Sequence, residues 1–153
     1  MTSSGVSDWA VTALAPLVAD PVDPGVSVRQ MDDTTAQGVT MYIRPPGGST
    51  NMTLEVWVRA QVANVGATTV KMLFHERELL DDSPWTAWSS SVALDDIAIP
   101  IGSILSQKVS TTKTLAAWGL TAGELHQIQL SRTSVGDTLI DNALLHVAIP
   151  EFS

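Results

Sequence analysis

The chain has 153 residues, no cysteine and a formal net charge of −8. That length fits one domain able to bury a core without staples, and the missing cysteines exclude disulfides, thiol catalysis and Cys-based zinc or iron–sulfur sites. The acidic balance, with no Lys/Arg cluster to reverse it locally, argues against a nucleic-acid partner.

The opening stretch, MTSSGVSDWAVTALAPLVAD, lacks the basic start of a signal peptide, and Asp8 interrupts its apolar run. The sequence carries no apolar run of about 18 residues, the length a membrane helix needs. Synthesis without export is the expectation, with no membrane partner. Residues 1–30 form a distinct segment. Pro16, Pro21 and Pro24, followed by Gly25, forbid a long helix and favour extended or turn backbone. Trp9, Val11, Leu14, Leu17 and Val18 are nonetheless apolar. An extended apolar arm must lie on something, either its own domain or a neighbouring subunit. Asp32 and Asp33, followed by Thr34 and Thr35, suit a hinge in which short polar side chains satisfy the turning backbone.

Strand signals begin at Gly38. GVTMYIRP is followed by the PPGG turn at 45–48 and then by MTLEVWVRAQV, which alternates strictly. Met52, Leu54, Val56, Val58, Ala60 and Val62 share one face; Thr53, Glu55, Trp57, Arg59 and Gln61 share the other. Period two over that length is incompatible with a helix. TTVKMLFHEREL continues the pattern with Val70, Met72 and Phe74 on one face. Within it, FHERELLDD gathers His75, Glu76, Glu78, Asp81 and Asp82, a tempting metal constellation. Alternation puts His75 and Arg77 on one face and Glu76 and Glu78 on the other, so only the two glutamates converge. Asp81 and Asp82 sit in a DDSP turn, where Asp favours turn geometry. The pairs Asp32–Asp33 and Asp95–Asp96 also lack the alternating spacing of a calcium loop. No metal or cofactor site is expected.

SPWTAWSSS places Trp85 and Trp88 in a loop. Loop tryptophans stack on sugar rings, anchor protein interfaces, or plug the open end of a sandwich. Beyond them, VALDDIAIP, SQKVSTTKTL, LHQIQLSRT and NALLHVAIPEF read as further strands. One helical turn is expected within TLAAWGLTAGEL, where Thr121 and Glu124 have capping-box spacing. His75, His126 and His146 are far apart, and there is no G-x-S-x-G elbow for a nucleophilic serine. PPGG lacks the lysine and following helix of a phosphate loop. The expectation is therefore a protein that is not an enzyme. Many short strands with regular turn signals predict an all-β fold, a two-sheet antiparallel β-sandwich or a barrel. A jelly roll with about eight strands fits, and an immunoglobulin-like sandwich fits the pattern as well.

The stretches DDTTAQGVTMYIRPPGGSTNMTLEVWVRAQ, LAAWGLTAGELHQIQLSRT and GDTLIDNALLHVAIPEF resemble the opening, middle and closing segments of jelly-roll domains found on bacteriophage particles. The resemblance covers residues 31–152 and implies a jelly-roll type sandwich over 31–153, preceded by the arm at 1–30. Related domains serve as capsid decoration (cement) proteins and as modules of tail fibres and head appendages. The leading expectation is accordingly a virion structural protein that decorates the capsid surface. It would bind the major capsid protein across subunit junctions, self-associate as a homodimer or homotrimer, and assemble in the host cytoplasm. Trp9, Leu14, Leu17 and Val18 are the candidate arm anchors, and Trp85 and Trp88 the candidate subunit contact. The alternative is a carbohydrate- or receptor-binding module of a fibre or appendage, with Trp85 and Trp88 as its stacking platform.

Overall fold

A computed structural model describes residues 13–20, 27–32 and 37–153. Its strands, in chain order, are β1 (Ala13–Leu14), β2 (Leu17–Ala19), β3 (Ser27–Met31), β4 (Gln37–Ile43), β5 (Asn51–Ala60), β6 (Thr68–Val70), β7 (Met72–Glu78), β8 (Val92–Ala93), β9 (Ile97–Ile99), β10 (Gln107–Thr114), β11 (His126–Arg132) and β12 (Ala143–Phe152). A single helical turn, α1 (Leu115–Trp118), separates β10 from β11.

The strands form two five-stranded sheets, ordered β1-β4-β11-β7-β8 and β10-β5-β12-β3-β2, plus a ribbon of β6 and β9. Apart from β1, β2 and β8 at the sheet margins, the strands of the two sheets alternate along the chain. β3 lies in the second sheet, β4 in the first, β5 in the second, β7 in the first, β10 in the second, β11 in the first and β12 in the second. Each of these connections crosses from one sheet to the other, which is the double Greek key of a jelly roll. Periodicity alone leaves an immunoglobulin-like sandwich equally open, because alternation fixes which face a side chain occupies but not which strand lies beside it.

The arm segment enters this frame where it is described. β1 pairs in parallel with β4, and β2 pairs with β3, which pairs with β12. The 30/31 boundary expected between arm and sandwich falls inside β3. Asp32 N donates to Gln37 Oε1 across the turn into β4; Asp33, Thr34 and Thr35 lie outside the described residues.

The core lies between the sheets. Met52, Leu54, Val56, Val58 and Ala60 of β5 face Met72, Phe74, Ile128 and Leu130 of β7 and β11, all fully or almost fully buried. Each such large side chain contributes about 1.5–3 kcal/mol relative to exposure. Trp118, at the end of α1, packs against Phe74 with ring centroids 4.7 Å apart and donates Nε1–H to Met52 O at 2.9 Å. The expected helix is present, but its cap is Thr114, whose Oγ1 accepts from Ala117 N. Thr121 and Glu124 instead form a turn, because Gly119 has already ended the helix in the left-handed region at φ +81°.

Three further details depart from the sequence expectation. Val62 is exposed, since β5 ends at Ala60 and Gln61 N turns to Asn142 O. The run TTVKMLFHEREL is two strands: Lys71 breaks it, its N donating to Asp137 Oδ2 and its O accepting from Thr133 N. The closing strand carries a β-bulge between Leu145 and Val147. The extra residue, His146, keeps Ala143 and Leu145 on the core face and then restores that face at Ala148 and Phe152.

Two buried ion pairs brace the ends of the strands. Arg132 Nε and Nη2 donate to Asp137 Oδ2 and Oδ1, both at 2.8 Å, while its remaining donors reach the carbonyls of Met31, Asp141 and Leu139. On the outer face of the second sheet, buried Arg59 pairs with Asp20 and donates to Ile104 O at 2.9 Å. Arg59 alternates with Trp57, as expected from the sequence, yet it is covered rather than solvated.

Candidate functional site

The two outer faces of the sandwich differ. On the second sheet, Trp57 donates Nε1–H to Glu55 Oε1 at 2.6 Å, and Lys108 bridges to Glu55 at 3.4 Å, a compact polar patch over β5 and β10. On the first sheet, the outward positions are Tyr42 and Thr40 of β4, Gln127, Gln129 and Ser131 of β11, and His75 and Arg77 of β7. These side chains run across the strands in register. Gln127 stands between Tyr42 and Arg77, and Gln129 between Thr40 and His75.

The loop after β7 completes this face. Its backbone follows the β7 edge, with Thr86 N donating to Glu78 O and Ser89 N to Glu76 O. That tethering brings both loop tryptophans to Arg77. The Arg77 guanidinium carbon lies 4.5 Å from the Trp85 ring centroid and 4.6 Å from that of Trp88. A planar cation stacked on two indoles is attractive through the ring quadrupoles and fixes both rings. Arg77 Nε then donates to Gln127 Oε1 at 2.7 Å, and Gln127 Nε2 to the Tyr42 hydroxyl at 3.3 Å. The result is one connected row of tryptophans, guanidinium, amide and phenol. Tyr42 and Trp85 are exposed at its two ends.

Beside the row lies Gln129, which is completely buried (0% exposed), with no hydrogen-bond partner for either Oε1 or Nε2. His75 Nδ1 sits 3.4 Å from Ser89 O, within reach to donate to that carbonyl.

The glutamates of FHERELLDD serve another purpose. Glu76 faces inward and its Oε2 receives His126 Nδ1–H at 3.0 Å, while His126 Nε2 accepts from Thr121 N at 3.1 Å. Both ring nitrogens are committed, so the ring clamps β7, β11 and the turn after α1 together. A Cβ at Gly119 would come within 2.9 Å of Glu76 Oε1, so the carboxylate is held against a backbone that only glycine leaves open. Among the described residues no three His, Asp or Glu side chains gather as metal ligands. Asp82 occupies its turn with φ +50°, and Asp96 pairs with Lys71.

The residues singled out from sequence are dispersed. Trp85 and Trp88 meet at Arg77. Leu14 lies in β1 and Leu17 and Val18 in β2, with Leu17 58% exposed. Trp9 lies outside the described residues. Tyr42, Gln127 and Gln129 belong to no motif that marks them in the sequence. The usable signal was the alternation of LHQIQLSRT, which puts two glutamines on the face opposite Ile128 and Leu130.

No family model and no curated protein matches the chain. Among solved structures it is similar to the enzymatically active domain of tailspike protein 4 of bacteriophage CBA120, at 13% identity and a TM-score of 0.44, over 97% of this chain and 20% of that one. It is also similar to the CBM22-1 xylan-binding domain of Paenibacillus barcinonensis Xyn10C, at 10% identity and a TM-score of 0.46, over 90% of this chain and 80% of that one. The chain thus spans a fifth of the tailspike domain.

Proposed function

We propose that this jelly roll is a non-catalytic carbohydrate-binding module that recognises a surface glycan from a virion fibre or appendage. The observation that carries the reading is the row of Trp85, Trp88, Arg77, Gln127 and Tyr42 across the outer face of the first sheet. Sugars present apolar ring faces edged by hydroxyls. Recognition needs flat aromatic surface for the one and fixed donors and acceptors for the other. The row offers both, its polar members on the sheet and its indoles on a loop bonded along the β7 edge, held in place before any ligand arrives. Its virion setting is supported by the resemblance of residues 31–152 to phage jelly-roll domains. The absence of cleavage is part of the proposal: Glu76 Oε2 and both ring nitrogens of His126 are taken up by each other and by the Thr121 backbone.

A glycan array screened with the wild-type protein and with Trp88→Ala tests this. Binding to a defined glycan that falls at least tenfold in the variant, with the denaturation midpoint retained, is the expected result. Wild-type protein that binds no glycan on the array refutes the reading.

A second reading, capsid decoration through the major capsid protein, is favoured by one observation: Leu17 is exposed in β2, an outer strand of its sheet. An apolar side chain on an outer strand suits strand addition or docking on a shell. Decoration of purified capsids that is lost in Leu17→Asp would support it, whereas unchanged occupancy would remove the basis for it.

A further inference from the structure

Gln129 is anomalous on any purely structural account. It lies mid-strand in β11, the central strand of the first sheet, and its side chain is on the outer face, opposite the core residues Ile128 and Leu130. Buried amides are almost always hydrogen-bonded, since an unpaired one forfeits its hydration for nothing. Both polar atoms of Gln129 are buried without a partner. A leucine or methionine would fill the same space without that cost. An amide kept at such a position points to a partner that is absent from the free protein.

We propose that Gln129 is the hydrogen-bonding floor of the glycan site and that the ligand is a neutral oligosaccharide, read there through a pair of adjacent hydroxyls. This rests on the carbohydrate-binding reading above and specifies its chemistry. A primary amide presents one acceptor and one donor side by side. Two neighbouring sugar hydroxyls can donate to Oε1 and accept from Nε2 together, a bidentate match that a single water or a lone hydroxyl does not make. His75 stands beside it in register on the next strand. From Tyr42 to the tryptophans, the row crosses the spacings that separate β4, β11, β7 and the loop along its edge, about 14 Å at ~4.8 Å each. That span suits a chain of a few sugar units better than a monosaccharide.

Charge selects the class. With a net charge of −8 the protein repels polyanions at a distance, and the one cation in the row, Arg77, is stacked between indoles and bonded to Gln127. Uronic-acid and sulfated polymers are therefore disfavoured. Because Gln129 has no exposed surface, the side chains that cover it must part for a hydroxyl pair to enter. Thr40 and His75, which flank it in register, are each only partly buried.

The test is affinity electrophoresis of the whole chain in gels containing xylan, mixed-linkage β-glucan, galactomannan or polygalacturonate, with Gln129→Leu and Trp88→Ala run beside the wild type. Retardation by at least one neutral polymer and not by polygalacturonate is expected. Gln129→Leu should lose at least tenfold in affinity while its thermal midpoint stays level or rises, because an unsatisfied buried amide has been removed. If Gln129→Leu binds as the wild type does while Trp88→Ala does not, the glycan reading stands and the role of Gln129 is wrong. A lowered midpoint with intact binding would also overturn it, marking the amide as a structural group bonded to internal water. Preference for polygalacturonate overturns the neutral class. Wild-type protein retarded by none of the four polymers overturns the inference for these neutral polymers, while the broader glycan reading is decided by the array.

Discussion

Replacing Arg132 with methionine should be among the most damaging single substitutions in the molecule. Arg132 ends β11 with a side chain 1% exposed, against an Asp137 carboxylate 2% exposed. The guanidinium has five N–H donors, and the structure gives each an acceptor. Nε and one Nη2 hydrogen go to Asp137, the other Nη2 hydrogen to Leu139 O, and Nη1 to Met31 O at 3.2 Å and Asp141 O at 2.6 Å. One side chain thus ties β3, β11 and the loop leading into β12. Methionine preserves most of the apolar stem but leaves a buried carboxylate without its cation and three carbonyls without that donor. Asp137 keeps two backbone donors, Lys71 N at 3.0 Å and Leu139 N at 2.9 Å, which soften the loss. Breaking a buried pair from one side costs roughly 3–5 kcal/mol. A domain of this size is stable by about 5–15 kcal/mol in all. At about 2–4 °C per kcal/mol, the melting temperature should fall by roughly 6–20 °C. Urea denaturation followed by tryptophan fluorescence measures the change through the midpoint at constant slope. A loss within about 0.5 kcal/mol of zero, the range of an ordinary surface substitution, would mean that the pair contributes nothing net and that the loop is held by other contacts.

Gly119→Ala should destabilise by at least about 1–2 kcal/mol, the cost of a left-handed non-glycine residue, because φ is +81° and the added Cβ meets Glu76 Oε1. An unchanged thermal midpoint would show that the Glu76–His126 clamp yields freely. Trp118→Phe keeps an aromatic ring against Phe74 but removes the hydrogen bond to Met52 O, so a loss of about 0.5–1.5 kcal/mol is expected in chemical denaturation; a neutral effect would show that this bond contributes nothing net. His146 should make stability depend on pH. Burial holds its pKa below the usual 6.5, with Asp20 opposing and Arg59 reinforcing. The unfolded chain therefore takes up this proton near 6.5 while the native state still resists, and stability falls as pH drops from 6.5 towards the native pKa. His146→Gln should flatten that part of the profile relative to wild type, and parallel profiles for the two proteins would refute the assignment.

Much of the fold is written in local alternation. Met52 to Ala60 read as a core-facing row because successive strand side chains point to opposite faces, and that geometry does not depend on what lies beside the strand. The same rule separates His75 and Arg77 from Glu76, so the sequence alone discourages a metal site there. It also places Gln127 and Gln129 opposite Ile128 and Leu130, although it gives no reason to notice them. Trp85 and Trp88 are visible as candidates because tryptophan in a loop demands a use.

The tertiary structure decided whatever depends on which strands become neighbours. Jelly roll over immunoglobulin-like sandwich is such a decision: β11 lies between β4 and β7, and β12 between β3 and β5, pairings between segments remote in the chain. Arg77 became the centre of a tryptophan pair only when the loop backbone bonded along β7, and Glu76 found His126, 50 residues away, only across adjacent strands. Arg59 and Gln129 have the outward alternation of solvated residues, yet both are buried. Alternation reports the side of a sheet and is silent about what covers that side. The sequence by itself determined the strands, their inner faces and the aromatic candidates; the assembled sheets decided which polar side chains are buried and which are paired, because both depend on neighbours remote in the chain.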